Sequence, residues 1–226
     1  MNYGIENGAP KEKCTTFRYG NLLDPMHWKE PFDRLDVSED LKGLGLDNQT
    51  FLCTIARLEP MKYVEHVILT IEELRKREID IFGLIIGDGS LRKEFEELAR
   101  SKGVFDRIKF AGNCKQEWIA SILPHSSLIL SPHMGRGLTE AALSGVPLVG
   151  YDYDWQREVI INDKTGYLVK HEKWHAMADA AEDLIKDRLK SDILGKNARL
   201  HIIDMMHPKV LNDHEKKSYD ALIDYS

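Results

Sequence analysis

Short, nearly unbroken apolar runs alternate along the chain with longer stretches whose apolar residues recur every three to four positions. Phe51-Leu52-Cys53-Thr54-Ile55-Ala56 is the first such run. A buried strand is predicted there. Val64, Val67, Ile68, Ile71 and Leu74 then mark one face of a helix over 64–77. The alternation repeats. Strands are predicted over 81–86, 107–111, 128–130, 146–149 and 167–169. Helices fall between them, over 90–102, 116–123 and 137–144. Ser90 is placed to cap the first of these, and Gly145 ends the last. Strands apolar on both sides, alternating with helices, are the mark of an α/β fold. Its sheet is a Rossmann-like parallel sheet with helices on both faces. Ligands of such sheets bind beyond the carboxyl ends of the strands. Candidate chemistry is therefore sought after each strand.

The ends read differently. Residues 1–13 are polar and contain Gly and Pro, as in a tail or linker remnant, and residues 14–226 form the domain. From Trp174 onward the chain is helical and highly charged. A break is expected at Met205-Met206-His207-Pro208, before a final helix over 212–223. The 226 residues are 42% hydrophobic and 30% charged, and the net charge is 31 − 37 = −6. That balance disfavours nucleic acid as a partner. No apolar stretch reaches the roughly 18 residues of a membrane span. Cys14, Cys53 and Cys114 are far apart and form no CxxC. Reduced thiols and a cytoplasmic location are expected.

After the first strand, Arg57 and Lys62 flank a Pro-containing turn at the mouth of a helix. A guanidinium forks onto phosphate oxygens and an ammonium adds a point charge, so the pair can hold a diphosphate. A solvated loop with two surface cations is the plainer alternative. After the second strand, Gly87-Asp88-Gly89-Ser90 is either a ligand-hugging turn or an ordinary strand-to-helix connection. Gly112, Asn113 and Cys114 follow the third, where a loop can offer backbone groups to a nucleobase. The richest stretch follows the fourth: Ser131-Pro132-His133-Met134-Gly135-Arg136-Gly137-Leu138-Thr139-Glu140. Glu140 falls one turn inside the helix. A carboxylate there can accept from a vicinal diol such as a ribose, or it merely complements the helix terminus. The nine histidines show no HExxH or HxH spacing, so no metal site is expected.

The series TIARLEPMK, LIIGDGSLRKEFEELA, IKFAGN, LILSPHMGRGLTEAALSGVPLV and NDKTGYLV, in this order, resembles the C-terminal domain of glycosyltransferase family 4. The resemblance covers about residues 15–185. It implies one half of a GT-B fold, binding a nucleotide-sugar, with a UDP-sugar the first expectation. By this resemblance Arg57 and Lys62 neutralise the donor diphosphate. Gly112 and Asn113 lie by the base. His133, Gly135, Arg136, Gly137, Leu138 and Thr139 belong to the donor loop, and Glu140 holds the ribose. It implies transfer of a hexose to a sugar or lipid-linked acceptor with retention, without a metal or other cofactor.

Two departures stand out. The family carries a further Glu eight positions before Glu140, on the donor sugar. Pro132 occupies that place here, with His133 and Met134 next to it. Second, a GT-B enzyme has an N-terminal acceptor domain, for which 226 residues leave no room. Residues 15–24 resemble the segment that follows the interdomain linker. Beyond the nucleotide-sugar, the expected partner is thus a missing acceptor domain or a partner subunit. Peripheral membrane association through the acceptor and homodimerisation stay open. The alternative reading is a non-catalytic nucleotide-sugar-binding module.

Overall fold

The computed structural model describes residues 7, 8, 10, 11 and 23–223, with side chains to residue 220. Most of the expected tail over 1–13, Cys14 and most of the 15–24 segment lie outside the described residues. Residues 24–202 form one compact unit, and residues 203–226 group separately with the first 23 residues.

Six strands build the sheet: β1 (Phe51–Ile55), β2 (Phe82–Ile86), β3 (Ile108–Gly112), β4 (Leu128–Ser131), β5 (Leu148–Tyr151) and β6 (Gly166–Val169). All neighbours pair in parallel, in the order β3-β2-β1-β4-β5-β6. The chain moves outward from β1 through β2 to β3, then crosses back to β4 and moves outward the other way. The direction reverses between β1 and β4, which leaves a crevice at their carboxyl ends.

Helix α1 (Ser38–Leu44) precedes the sheet. Helices α2 (Val64–Lys76) and α3 (Arg92–Ser101) follow β1 and β2. Helices α4 (Gln116–Ile122) and α5 (Gly137–Leu143) follow β3 and β4. Helix α6 (Gln156–Val159) joins β5 to β6, and α7 (Trp174–Lys186) returns to pack on α2. Val64, Val67, Ile68, Ile71 and Leu74 are fully buried, as their spacing required. They join Leu52, Ile85, Leu128, Leu130 and Val149 in a core that continues onto Met177, Ala181 and Leu184 of α7.

Two helix starts differ from the sequence expectation. The helix after β2 begins at Arg92, with Leu91 rather than Ser90 at its cap. Ser90 turns instead to Glu59. The final helices, α8 (Arg188–Met206) and α9 (Pro208–Ile223), break at His207, but α9 starts at Pro208 and not at residue 212. Proline at the first helical position lacks only an N–H that would have no partner there. Helices α1 and α6, with the 3-10 turns at Pro25–Trp28 and Pro31–Asp33, were not foreseen. Each is seven residues or fewer, too short to show a period.

These early turns have a use. They carry Arg34 under the C-terminal end of α5, where its Nη2 donates to the Leu143 carbonyl at 2.7 Å. Arg199 of α8 donates to the same carbonyl at 2.6 Å. Burial, and then the neighbouring Arg199 charge, pull the Arg34 pKa down to about 10. Two guanidiniums on the carbonyl end of a helix complement its partial negative charge. They fix α5 from below, so that its other end presents residues to the crevice.

Candidate functional site

At the crevice beyond β1 and β4 lies a cavity of about 450 Å³. Arg57 and Lys62 stand on one side, and neither carries an ion pair among the described residues. They belong to the segment that leaves β1, turns through a 3-10 helix at Pro60–Lys62 and enters α2. Tyr63 joins the two helices in the left-handed conformation, with φ 51°. A bulky residue held there is strained and persists only where its surroundings fix it.

Across the cavity stand Gly135, Arg136, Gly137 and Glu140 at the start of α5. A Cβ on Gly137 would come within 3.3 Å of the Ile55 side chain, so the glycine brings α5 close over the end of β1. Glu140 is 3% exposed. Its Oε1 accepts from Gln116 Nε2 at 3.1 Å and approaches Arg136 Nε at 3.4 Å. Burial raises its pKa, and Gln116 and Arg136 oppose the rise. The second carboxylate oxygen has no hydrogen bond among the described residues. It is available to a hydroxyl donor in the cavity.

Asn113 and His133 also line the cavity. His133 Nδ1 sits 2.7 Å from the Met61 carbonyl oxygen, and its Nε2 is 3.5 Å from Asp154. Gly112, Leu138 and Thr139 do not line it. Gly112 is buried, with φ +71°, and its carbonyl accepts from the Gly87 amide at 2.8 Å. Leu138 and Thr139 are buried, and their amides already donate to the carbonyls of Gly135 and Arg136 at 3.0 and 2.9 Å. Those two amides are therefore not free donors for a phosphate.

Ile55, Ala56, Ile86 and Gly87 also line the cavity, and Gln116, Cys114 and Ile119 of the β3 side complete it; Gly87 and Cys114 were noticed as loop residues, and Gln116 and Ile119 were missed as site residues. Gln116 is the first residue of α4, and its Oε1 accepts from the Asp24 amide at 3.4 Å. The same rule that pointed to Asn113 reaches Gln116 when extended by three residues, to the start of the helix. Next to this wall, His27 is fully buried with both ring nitrogens unbonded. Burial, then Arg34, lowers its pKa to about 4. Buried Cys53 has its thiol pushed up to about 12 by desolvation, so it is inert. Among the described residues, no three His, Cys, Asp or Glu side chains are grouped to hold a metal ion, and no helix is long and apolar enough to cross a membrane.

The chain matches the family model described as glycosyl transferases group 1 over residues 36–201. It is 30% identical over 158 residues to the alpha-D-kanosaminyltransferase of Streptomyces kanamyceticus, covering 68% of this chain and 41% of that protein. It is 29% identical over 195 residues to the N-acetyl-alpha-D-glucosaminyl L-malate synthase of Bacillus anthracis, covering 84% of this chain and 50% of that protein. The chain thus spans about half the length of the curated relatives it matches. Among solved structures, Anabaena HepE in complex with UDP and glucose superposes with a TM-score of 0.81. The identity there is 20%, over 96% of this chain and 59% of that one.

Proposed function

The chain belongs to the group 1 glycosyl transferases, and from that premise we propose that it is the donor-binding half of a retaining glycosyltransferase. Its donor is a nucleotide-sugar, in the first instance a UDP-sugar, and the transferred group a hexose. One observation carries this reading: Arg57 and Lys62, two cations with no ion pair among the described residues, share a cavity with the buried Glu140 carboxylate, whose second oxygen has no hydrogen bond among those residues. A nucleoside diphosphate presents the matching pair, a dianionic bridge and a ribose diol.

In this reading Arg57 and Lys62 act as catalytic groups. Charge grows on the diphosphate as the glycosidic bond breaks, and cations already in place stabilise it without reorganisation. Glu140 holds the ribose and so fixes the reach of the phosphates. Asn113 lies where a base would end, and Gly135 and Gly137 let the donor approach the backbone. No step calls for a metal, because the two cations do the neutralising. The acceptor, sugar or lipid-linked, binds on a further domain or a partner subunit. UDP complexes of structurally similar proteins and the sugar-transferring relatives support the reading.

Calorimetry with UDP, GDP and their sugars tests it. A half-built cleft that gains nothing from domain closure is expected to bind UDP at the ~10 μM to 1 mM level. Transfer to simple acceptors is expected only when a second polypeptide or a longer chain supplies the other wall. Absence of nucleotide binding up to millimolar concentration refutes the donor reading. Robust transfer by this chain alone refutes the half-site reading.

A further inference from the structure

We propose that His133 is a positioning residue. Through its Nδ1–H it ties the turn that carries Lys62 to the glycine loop that carries Arg136. The proposal rests on the diphosphate reading above, but its geometry is independent of it. His133 Nδ1 lies 2.7 Å from the carbonyl oxygen of Met61, a residue 72 positions earlier and next to Lys62. A carbonyl oxygen only accepts, so the proton sits on Nδ1. In the neutral ring Nε2 is then the lone-pair nitrogen.

The ring has little freedom to leave this bond. Tyr153, just past β5, meets it edge-on at 5.2 Å and is itself stacked on His171 at 4.2 Å. Tyr63 tilts against it at 6.5 Å and stacks on His66 at 5.5 Å. Tyr63 is the residue in the left-handed conformation that follows Lys62. The turn Pro60–Lys62 is therefore gripped at its centre by the His133 bond to Met61 and at its exit by the ring packing of Tyr63. One function follows from this. Lys62 is a half-buried cation with many rotamers, and a fixed backbone beneath it reduces what must be ordered when an anion binds. The three groups within reach of a diphosphate, Arg57, Lys62 and Arg136, come from two loops, and His133 is the direct bond between those loops at the mouth of the cavity.

The test separates the two ring nitrogens. Long-range proton–nitrogen NMR of the histidines in the ligand-free chain gives the tautomer. In the neutral ring the Nδ1–H form is expected. The Nε2–H form there overturns the proposal. Two variants follow, each checked for native amide dispersion. In His133→Asn the amide nitrogen takes the place of Nδ1. In His133→Gln it takes the place of Nε2. The positioning role predicts that Asn keeps the Met61 to Tyr63 amide shifts and restores most of the UDP affinity, whereas Gln moves those shifts and weakens UDP about tenfold, the scale of one lost hydrogen bond. UMP weakens less than UDP. The opposite pattern, with Gln retaining affinity and Asn losing it, assigns His133 a direct ligand contact through Nε2 and overturns the proposal. Should the wild-type chain bind no UDP while showing the Nδ1–H tautomer and the amide-shift pattern, the donor reading fails and the tie between the loops stands.

Discussion

Two turns of this chain carry two glycines each and both reach the cavity, but the fold presses Gly87 and Gly89 against backbone and leaves Gly135 open. Gly87 and Gly89 follow β2, whereas Gly135 and Gly137 follow β4. A side chain on Gly87 would overlap the Ala56 carbonyl, and one on Gly89 would overlap the Leu58 backbone. The neighbouring bonds show why: Ala56 donates to Ile86, Leu58 to Asp88 and Leu91 to Leu58, each at 3.0 Å. The first turn is thus zipped to the segment that leaves β1, backbone on backbone. In the second turn Gly135 meets nothing within 4 Å and is exposed to the cavity. Glycine in a strand-to-helix turn therefore answers either to a close backbone, as at Gly87 and Gly89, or to open space, as at Gly135, and Gly87 lines the cavity as well. The sequence alone cannot separate them.

The largest expected effect breaks the comparison at this point. Gly87→Ala is expected to cost roughly 3 kcal/mol or more, since the backbone it strikes cannot yield and its φ of +130° disfavours any side chain. Gly135→Ala is expected to stay within about 0.5 kcal/mol of wild type. Denaturant unfolding of both variants checks this. Equal losses at the two positions would remove the distinction.

Next in size is the ligand side of the zipped segment. Lys62→Ala is expected to weaken UDP by about 1.5–3 kcal/mol, the scale of a charge-assisted hydrogen bond, with little change in unfolding free energy. Calorimetry beside a melting curve reads both. An unchanged UDP affinity takes Lys62 out of the site.

How much of this was legible follows from how far apart the interacting residues are. The apolar runs gave all six strands within a residue or two, and helical spacing gave α2 with its buried face. Arg57, Lys62, Asn113, His133 and Glu140 were found because each lies just past a strand end, where one rule about parallel sheets applies. Gln116, though close to that rule's reach, was missed because its role appears only when α4 is brought beside α5. The His133 bond to Met61 and the paired grip of Arg34 and Arg199 on Leu143 join segments 56 to 109 residues apart. No local pattern encodes such pairings.

A smaller effect sharpens the comparison from within the second turn. Glu140→Gln keeps the shape and removes the charge. It is expected to weaken UDP by about 1 kcal/mol and inorganic pyrophosphate by less, because the lost partner is the ribose diol. Stability moves the other way. The Glu140 pKa is raised in the fold, chiefly by burial. The folded protein therefore holds the proton more tightly than the unfolded chain, and the charged form destabilises as pH rises above the ordinary carboxylate range. Glu140→Gln should then be more stable than wild type at neutral pH, with the gap closing as pH falls toward that range. Equal losses for UDP and pyrophosphate would reduce Glu140 to a helix-terminus charge.

The smallest effect concerns the outer edge of the zipped turn. Ser90 donates its amide to Glu59 Oε1 at 3.0 Å and its hydroxyl to Oε2 at 2.8 Å. Glu59 lies between Arg57 and Lys62, so these bonds hold the middle of the cation segment against the turn after β2. Ser90→Ala removes the hydroxyl bond and leaves the amide bond. With the backbone zipper intact, UDP affinity is expected to fall no more than roughly two- to threefold, as for an exposed polar contact. The two bonds from Ser90, amide first, hold the Glu59 carboxyl below its ordinary range. A carboxyl lowered in the fold stabilises above its unfolded pKa, and that contribution is lost as pH falls through the folded value. The difference between Ser90→Ala and wild type is therefore expected at neutral pH and should vanish under acid conditions that protonate Glu59. A Ser90→Ala loss as large as that of Lys62→Ala would mean that Ser90 meets the ligand itself.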